Sequence, residues 1–511
     1  MYDYIVVGAG SAGSVVAARL SEDSSTSVLV LEGGPPDEAP EIAMPAAAPT
    51  LWSGPLSWDH VTVPQRHAAR RGVPWPSGRV LGGSSSINGM IYIRGNRVDY
   101  DTWRDAYGCA GWGYADLLPY FLRAEDQQRG ESPYHGTGGP LRVEDQRYEH
   151  PLSRGWLEAA VASGLPRNED FNRGGQDGVG HYQMTQRAGR RWSAADAYLR
   201  PAMRRPNVTV ETGAYVGRLL LDGERATGVR YARDGAWREA GATCEVIVAC
   251  GAVKTPQLLM LSGVGPADHL RGHGLPVVVD APAVGAGLQD HPMCLPGWRT
   301  PTTRNLWEEV TPENVELWRR ERRGPMASFG AEAGGFTRSG GGGRPAPDLQ
   351  FGAIPGPPPL PELGPPSERA VGTLVGAVHV RSRGRVVLAS ADPAAKPVVD
   401  PGYFADGADL DVLVAGVRLA REITAREPLA AITAGEIAPG EDVVDDEQLR
   451  DWVRATAGTM FHPTGTCAMG GGAEAVCDPE LRVRGVEGLR VVDLIRGATP
   501  LSAAAPEHEL V

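Results

Sequence analysis

The sequence predicts an α/β protein that opens with a Rossmann-type dinucleotide-binding unit, and two observations carry that prediction. The first is the apolar run Tyr4-Ile5-Val6-Val7, which enters Gly8-Ala9-Gly10-Ser11-Ala12-Gly13 and is followed at helical spacing by Val15, Val16, Ala17 and Leu20. The second is another apolar run, Val28 to Leu31, that ends on Glu32. Together they form a strand–helix–strand unit within about thirty residues.

Each part of the unit has a chemical task. Gly8 permits the tight turn, Gly10 lets a pyrophosphate approach the backbone, and Gly13 allows close helix–strand packing. Ser11 and Ala12 open the helix, whose N-terminal N–H groups and partial positive charge suit phosphate. Glu32 lies nineteen residues past Gly13, at the end of the next strand, where its carboxylate meets ribose hydroxyls. The motif alone does not separate FAD from NAD.

Further along, residues 33–79 are rich in proline, lack a clear period and read as extended loop. Helical patterns occupy 98–127 and 151–164. A β-rich region spans 206–250, with alternating Val208 and Val210 and a hairpin signal at Asp222-Gly223. The glycine- and proline-dense segment 336–368 reads as a surface excursion, and a helix is expected from Ala408 to Glu422.

Composition narrows the function. The net charge of −12 argues against a nucleic-acid surface and against a polybasic membrane anchor. Lysine occurs only at Lys254 and Lys396, the other basic residues being arginine. The six cysteines form no CxxC pair and no zinc-type spacing with histidine, so neither a metal site nor a disulfide framework is expected. No apolar run reaches membrane length, and Met1-Tyr2-Asp3-Tyr4 shows no charged leader, so a cytoplasmic protein is expected.

The segment Gly78-Arg79-Val80-Leu81-Gly82-Gly83-Ser84-Ser85-Ser86-Ile87-Asn88-Gly89-Met90, continued to Gly95, resembles the first signature of the glucose–methanol–choline (GMC) oxidoreductases. Gly251 to Gly265 resembles the second, and Leu288-Gln289-Asp290-His291, Arg191-Trp192-Ser193-Ala194-Ala195 and Ser382-Arg383-Gly384 fit the same pattern. The resemblance runs from residue 3 to about residue 493. It implies a Rossmann-type FAD-binding domain with an interleaved α+β substrate-binding domain on a mostly antiparallel sheet. The implied division is 1–296 mostly FAD-binding, with part of the substrate lobe at about 150–205, 297–450 mainly substrate lobe, and 451–511 a return to the FAD domain. The implied cofactor is FAD, touched by Arg79, Leu81, Gly82, Gly83, Ser84, Asn88, Gly89, Met90, Val216 and Asp493 besides the N-terminal motif. Some relatives tether FAD through a histidine just before the asparagine; Ile87 stands there, so FAD is expected to be bound non-covalently.

Phe461-His462-Pro463-Thr464-Gly465 resembles the segment that carries the family's catalytic histidine. Oxidising an alcohol by hydride loss requires removal of the hydroxyl proton, and a group titrating near neutrality suits that task. His462 is therefore the expected base, acting on a small-molecule alcohol, with oxygen or another electron acceptor as the second partner. His291 reads as a structural hydrogen-bonding residue, and Cys467 as a buried cysteine. The pattern departs after Asp493, where a Gly-Asn turn with a second catalytic His or Asn is expected and Leu494-Ile495-Arg496-Gly497 follows instead. Three accounts fit: a reading-frame change near residue 494, which is favoured slightly; a genuine tail in which His508 or another residue substitutes; or a flavoprotein with impaired catalysis. A flavin-binding lyase of the hydroxynitrile-lyase kind is the other alternative to alcohol oxidation.

Overall fold

The structure, a computed structural model, describes residues 1–340, 345–357 and 368–493. The expected strand–helix–strand unit is present as β1 (Tyr2–Val7), α1 (Ser11–Leu20) and β2 (Val28–Glu32). The two strands pair in parallel, Val6 opposite Val30. Ile5, Val6, Val28, Leu29, Val30 and Leu31 are at most 1% exposed, which is why the strands read as continuous apolar runs rather than alternating ones. Each such side chain contributes about 1.5–3 kcal/mol by leaving water.

Distant segments complete this sheet. Val208–Thr212 flanks β2, and the long strand Ala236–Val248 flanks β1. The C-terminal half of that long strand pairs in parallel with β1 and, on its other side, with Leu489–Val491. Its N-terminal half turns antiparallel against Arg225–Arg233, which pairs with Tyr215–Asp222 through the hairpin expected at Asp222-Gly223.

A second sheet, antiparallel throughout, has eight described strands, ordered along its main path as Glu436–Ala438, Gly297–Arg299, Ala370–Ala377, Leu349–Ile354, Ala333–Thr337 and Gly178–His181. Pro292–Cys294 and Gly458–Thr459 extend it and pair with each other. Helices Pro151–Ala162 and Gly407–Thr424 pack on this sheet through a core that includes Trp156, Phe351, Val375, Leu413 and Val417. The second helix matches the expected one and starts where Asp406 accepts a hydrogen bond from the Ala408 N–H.

One expectation needs correction. Segment 336–368 is not simply a surface excursion, because Leu349–Ile354 lies inside the second sheet with Leu349, Phe351 and Ala353 buried. Glycine and proline runs on either side hide a period-two strand of six residues. The loop 33–79 also holds a short helix, Pro40–Ala43, and a 3₁₀ turn, Pro45–Leu51. Among the described residues no helix is long and apolar enough to cross a membrane. The departure from the pattern after Asp493 lies outside the described residues.

Candidate active site

A cavity of about 810 Å³ runs between the sheets, from the β1–α1 turn to the end of strand Gly458–Thr459. Its wall at one end is Gly8, Gly10, Ser11, Ala12, Glu32, Gly33, Tyr215 and Val216. Gly13 stands behind it: a Cβ there would lie 1.9 Å from the Gly8 carbonyl oxygen, so only glycine lets α1 pack this closely. Gly10 caps α1 without any side-chain acceptor for the first N–H groups, leaving them for a ligand. Glu32 is 5% exposed, and its carboxylate accepts hydrogen bonds from the Ala9 and Gly34 N–H groups. Burial raises its pKa to about 7 against those two bonds, which lower it. Trp58 closes over Gly33, with the Lys254 ammonium 4.6 Å and the Arg79 guanidinium 5.2 Å from its ring centre.

In the middle of the cavity the loop Gly82–Ser86 faces the β1–α1 turn. A Cβ on Gly83, whose φ is +54°, would meet the Gly10 Cα at 2.7 Å, so two glycine backbones abut. Opposite them is the start of helix Gly251–Leu261, where Thr255 donates to Asp493 Oδ2 at 2.6 Å. Asn88 follows the loop, and its Oδ1 accepts from the Met90 N–H and from Arg191 Nη1. With Oδ1 so engaged, the amide nitrogen is the free polar end of the side chain. Arg191 is 1% exposed and also donates to the Ile42 and Ser85 carbonyls. Burial lowers its pKa to about 9, with Asp196 acting the other way.

At the far end stands His462. Its backbone N–H donates to Asp290 Oδ1 at 2.9 Å, and its Nδ1 lies 3.2 Å from His291 Nδ1. Both imidazoles line the cavity. Asp290 Oδ2 accepts from the Tyr403 hydroxyl, which in turn accepts from the Trp75 indole N–H at 2.8 Å. Burial lowers the His462 pKa to about 4 and raises that of Asp290 to about 6. Around His462 the wall is aromatic: Trp52 lies 5.1 Å from Phe461 and 6.1 Å from Phe329 between ring centres. The Trp52 indole donates to the Ile87 carbonyl, and a Cβ on Gly89 would run into the Phe329 ring.

The cavity thus gathers Gly8, Gly10, Ser11, Ala12, Glu32, Gly83, Ser84, Asn88, Gly89, Met90, Val216, His462 and Asp493. Gly13, Arg79, Leu81 and Gly82 stand off its wall, Leu81 in the core and Gly82 in the turn that aims Gly83. Sequence reasoning passed over Trp52, Trp58, Phe329 and Lys254. Two of them sit in the stretch without period, and their one signal was rarity, with aromatic residues 6% of the chain and lysine at two positions.

The residues present fit FAD. A donor-lined helix start, a buried acid one strand away and a two-glycine cradle share one elongated cavity that ends at an amide and two imidazoles. GMC oxidoreductase family models match residues 2–293 and 380–502. The chain belongs to the GMC oxidoreductase family. Human mitochondrial choline dehydrogenase is 42% identical over 508 residues, 96% of this chain and 85% of that protein. Alcohol dehydrogenase [acceptor] of Pseudomonas putida is 42% identical over 510 residues, covering 96% and 91%. Among solved structures, pyridoxine 4-oxidase from Mesorbium loti aligns with TM-score 0.88 at 33% identity over 100% of this chain and 96% of that one. A variant of Aspergillus oryzae formate oxidase aligns with TM-score 0.91 at 27% identity, covering 99% and 97%. As a GMC oxidoreductase the chain is an FAD-dependent enzyme of alcohol oxidation, with a small-molecule substrate and an electron acceptor. Neither the lyase nor the impaired-flavoprotein alternative is favoured.

Proposed function

We propose that this GMC oxidoreductase oxidises neutral, aromatic primary alcohols, with His462 as the base and FAD held without a covalent bond. The observation that carries the substrate class is the aromatic wall of Trp52, Phe329 and Phe461 beside His462. Among the described residues, the carboxylates on the cavity wall are Glu32, Asp59 and Asp493. Glu32 and Asp59 flank Trp58 at the nucleotide end, and Asp493 is tied to Thr255. Asp290, beside the base, is buried behind the wall with its oxygens taken by the His462 N–H and the Tyr403 hydroxyl. A cationic alcohol thus finds no carboxylate exposed on the wall near the base, whereas a flat neutral ring finds offset and edge-on partners.

Bound FAD supplies the two-electron acceptor for the hydride that leaves the carbinol carbon. The chain does the rest. His462, kept neutral by burial, takes the hydroxyl proton as the C–H bond breaks. The Asn88 amide, fixed by Arg191 and the Met90 N–H, offers a donor on the same cavity. The aromatic wall excludes water and orients the ring. Ile87, buried on that wall, has no nucleophilic atom with which to tether a flavin.

The test is anaerobic mixing of the purified holoenzyme with benzyl alcohol, a pyridylmethanol and choline, following loss of flavin absorbance. Benzyl alcohol or the pyridylmethanol should bleach the flavin at least about tenfold more efficiently than choline, a difference of about 1.4 kcal/mol. Choline as the best of the three would overturn the substrate class. The electrons then pass to oxygen or to another acceptor, and admitting air to the bleached enzyme separates the two.

A further inference from the structure

His291 and His462 meet because of how the second sheet is strung. Asp290-His291 leads directly into strand Pro292–Cys294, and Met460-Phe461-His462 leads directly out of strand Gly458–Thr459. These strands pair antiparallel, Pro292 opposite Thr459, and the Met460 N–H donates to the His291 carbonyl at 2.9 Å. The two chains meet again where Gln289 and Thr464 exchange backbone hydrogen bonds. Between those ties the chain bulges at Phe461, whose φ is +64°. The bulge brings the two rings to 5.3 Å between centres at 81°, Nδ1 to Nδ1. Asp290 anchors the bulge through the His462 N–H and is itself held by Tyr403.

Two neutral imidazoles joined Nδ1 to Nδ1 share a single hydrogen, so their tautomers are opposite. If His291 donates, His462 carries its hydrogen on Nε2 and has no lone pair left to receive a proton. If His462 donates, its Nε2 is bare and can act as a base.

We propose that His291 is a positioning residue for alcohol oxidation: its Nδ1 accepts the His462 Nδ1–H and holds His462 in the tautomer whose Nε2 receives the alcohol proton. The inference rests on the reading of His462 as the base. The bond that breaks is the alcohol O–H, its proton forms a new N–H at Nε2, and its electrons stay on the oxygen that becomes the carbonyl. His462 is then an imidazolium, and the Nδ1–H it gives His291 becomes a charge-assisted hydrogen bond, stronger than before the transfer. Among the described residues, the Asp290 carboxyl holds the backbone of the bulge at His462 and is itself held by the Tyr403 hydroxyl.

Histidine-¹⁵N-labelled holoenzyme reads the tautomers directly, with His462 and His291 signals assigned by their loss in H462Q and H291N. Expected is Nδ1–H with bare Nε2 on His462 and the opposite on His291; Nε2–H on His462 overturns the proposal. In anaerobic flavin reduction, H291L should be slower by about 10²-fold at unchanged FAD content, and H291N, whose side-chain carbonyl accepts at the former Nδ1 position, should recover most of that loss. A slow H462Q with H291L as fast as wild type sinks this inference and leaves the base reading intact. An H462Q that bleaches at the wild-type rate sinks the base reading itself. Should H291L not fold, the wild-type tautomers and H291N decide.

Discussion

Arg191 Nη1 donates to Asn88 Oδ1 at 2.6 Å, so a fully buried guanidinium fixes which end of the Asn88 amide is free. Among the described residues no carboxylate hydrogen-bonds Arg191; its partners are the Ile42 and Ser85 carbonyls and Asn88. R191K would keep the charge but lose the fork that serves three acceptors at once. The expected result is a stability loss of about 1–3 kcal/mol in urea denaturation, together with slower flavin reduction as Asn88 loses its fixed orientation. Unchanged stability and rate would show that Asn88 is held by the Met90 N–H alone.

Gly10 and Gly13 separate packing from cofactor binding. A Cβ on Gly13 clashes with the Gly8 carbonyl oxygen at 1.9 Å, whereas one on Gly10 finds its nearest neighbour, Gly83 Cα, at 3.9 Å. Gly10 also has an ordinary negative φ of −74°. G13A is therefore expected to destabilise the protein even without cofactor, while G10A folds normally and loses FAD affinity. Thermal unfolding of the apoprotein and flavin titration check the two separately.

Replacing His462 by glutamine should slow anaerobic flavin reduction by about 10²–10⁴ while FAD remains bound, since the lost group moves a proton and does not hold the flavin. The flavin-to-protein ratio and the bleaching rate, measured on one preparation, check both halves.

The pH profile follows from the two buried groups at the base. Burial lowers the His462 pKa to about 4, and an imidazole accepts a proton only when neutral. As the proposed base, His462 should be competent throughout the neutral range and be lost as pH falls through about 4. Burial raises the Asp290 pKa to about 6, so its protonation weakens the anchor of the bulge at higher pH than that. The acidic limb of kcat/KM should show both steps, and D290N should remove the upper one and keep the lower.

What the sequence disclosed tracks how local each signal was. β1, α1 and β2 were legible because a buried parallel strand is a continuous apolar run and the glycine spacing sits between two of them. Leu349–Ile354 was not, since the glycines and prolines beside it outweigh three alternating apolar residues. Of the site, the cradle and His462 came from contiguous motifs. The neighbours of His462 came from pairing between segments some 170 residues apart, which no local pattern displays: His291 read as structural, yet its ring lies against the candidate base.

The parallel sheet has a consequence for how the enzyme is made. Its order places Leu489–Val491 beside Ala236–Val248, which lies beside β1. A ribosome that has released β1, α1 and β2 has made the phosphate-binding turn, yet Gly83, which abuts Gly10, and the strands that flank β1 and β2 are still to be synthesised. The nascent chain thus carries apolar edges on β1 and β2 that stay open until residues 208–248 emerge, and an edge on Ala236–Val248 that stays open until residue 491 emerges, a hazard for aggregation and a demand on chaperones. Asp493, which lines one wall, arrives later still, so that wall is complete only once residue 493 has emerged.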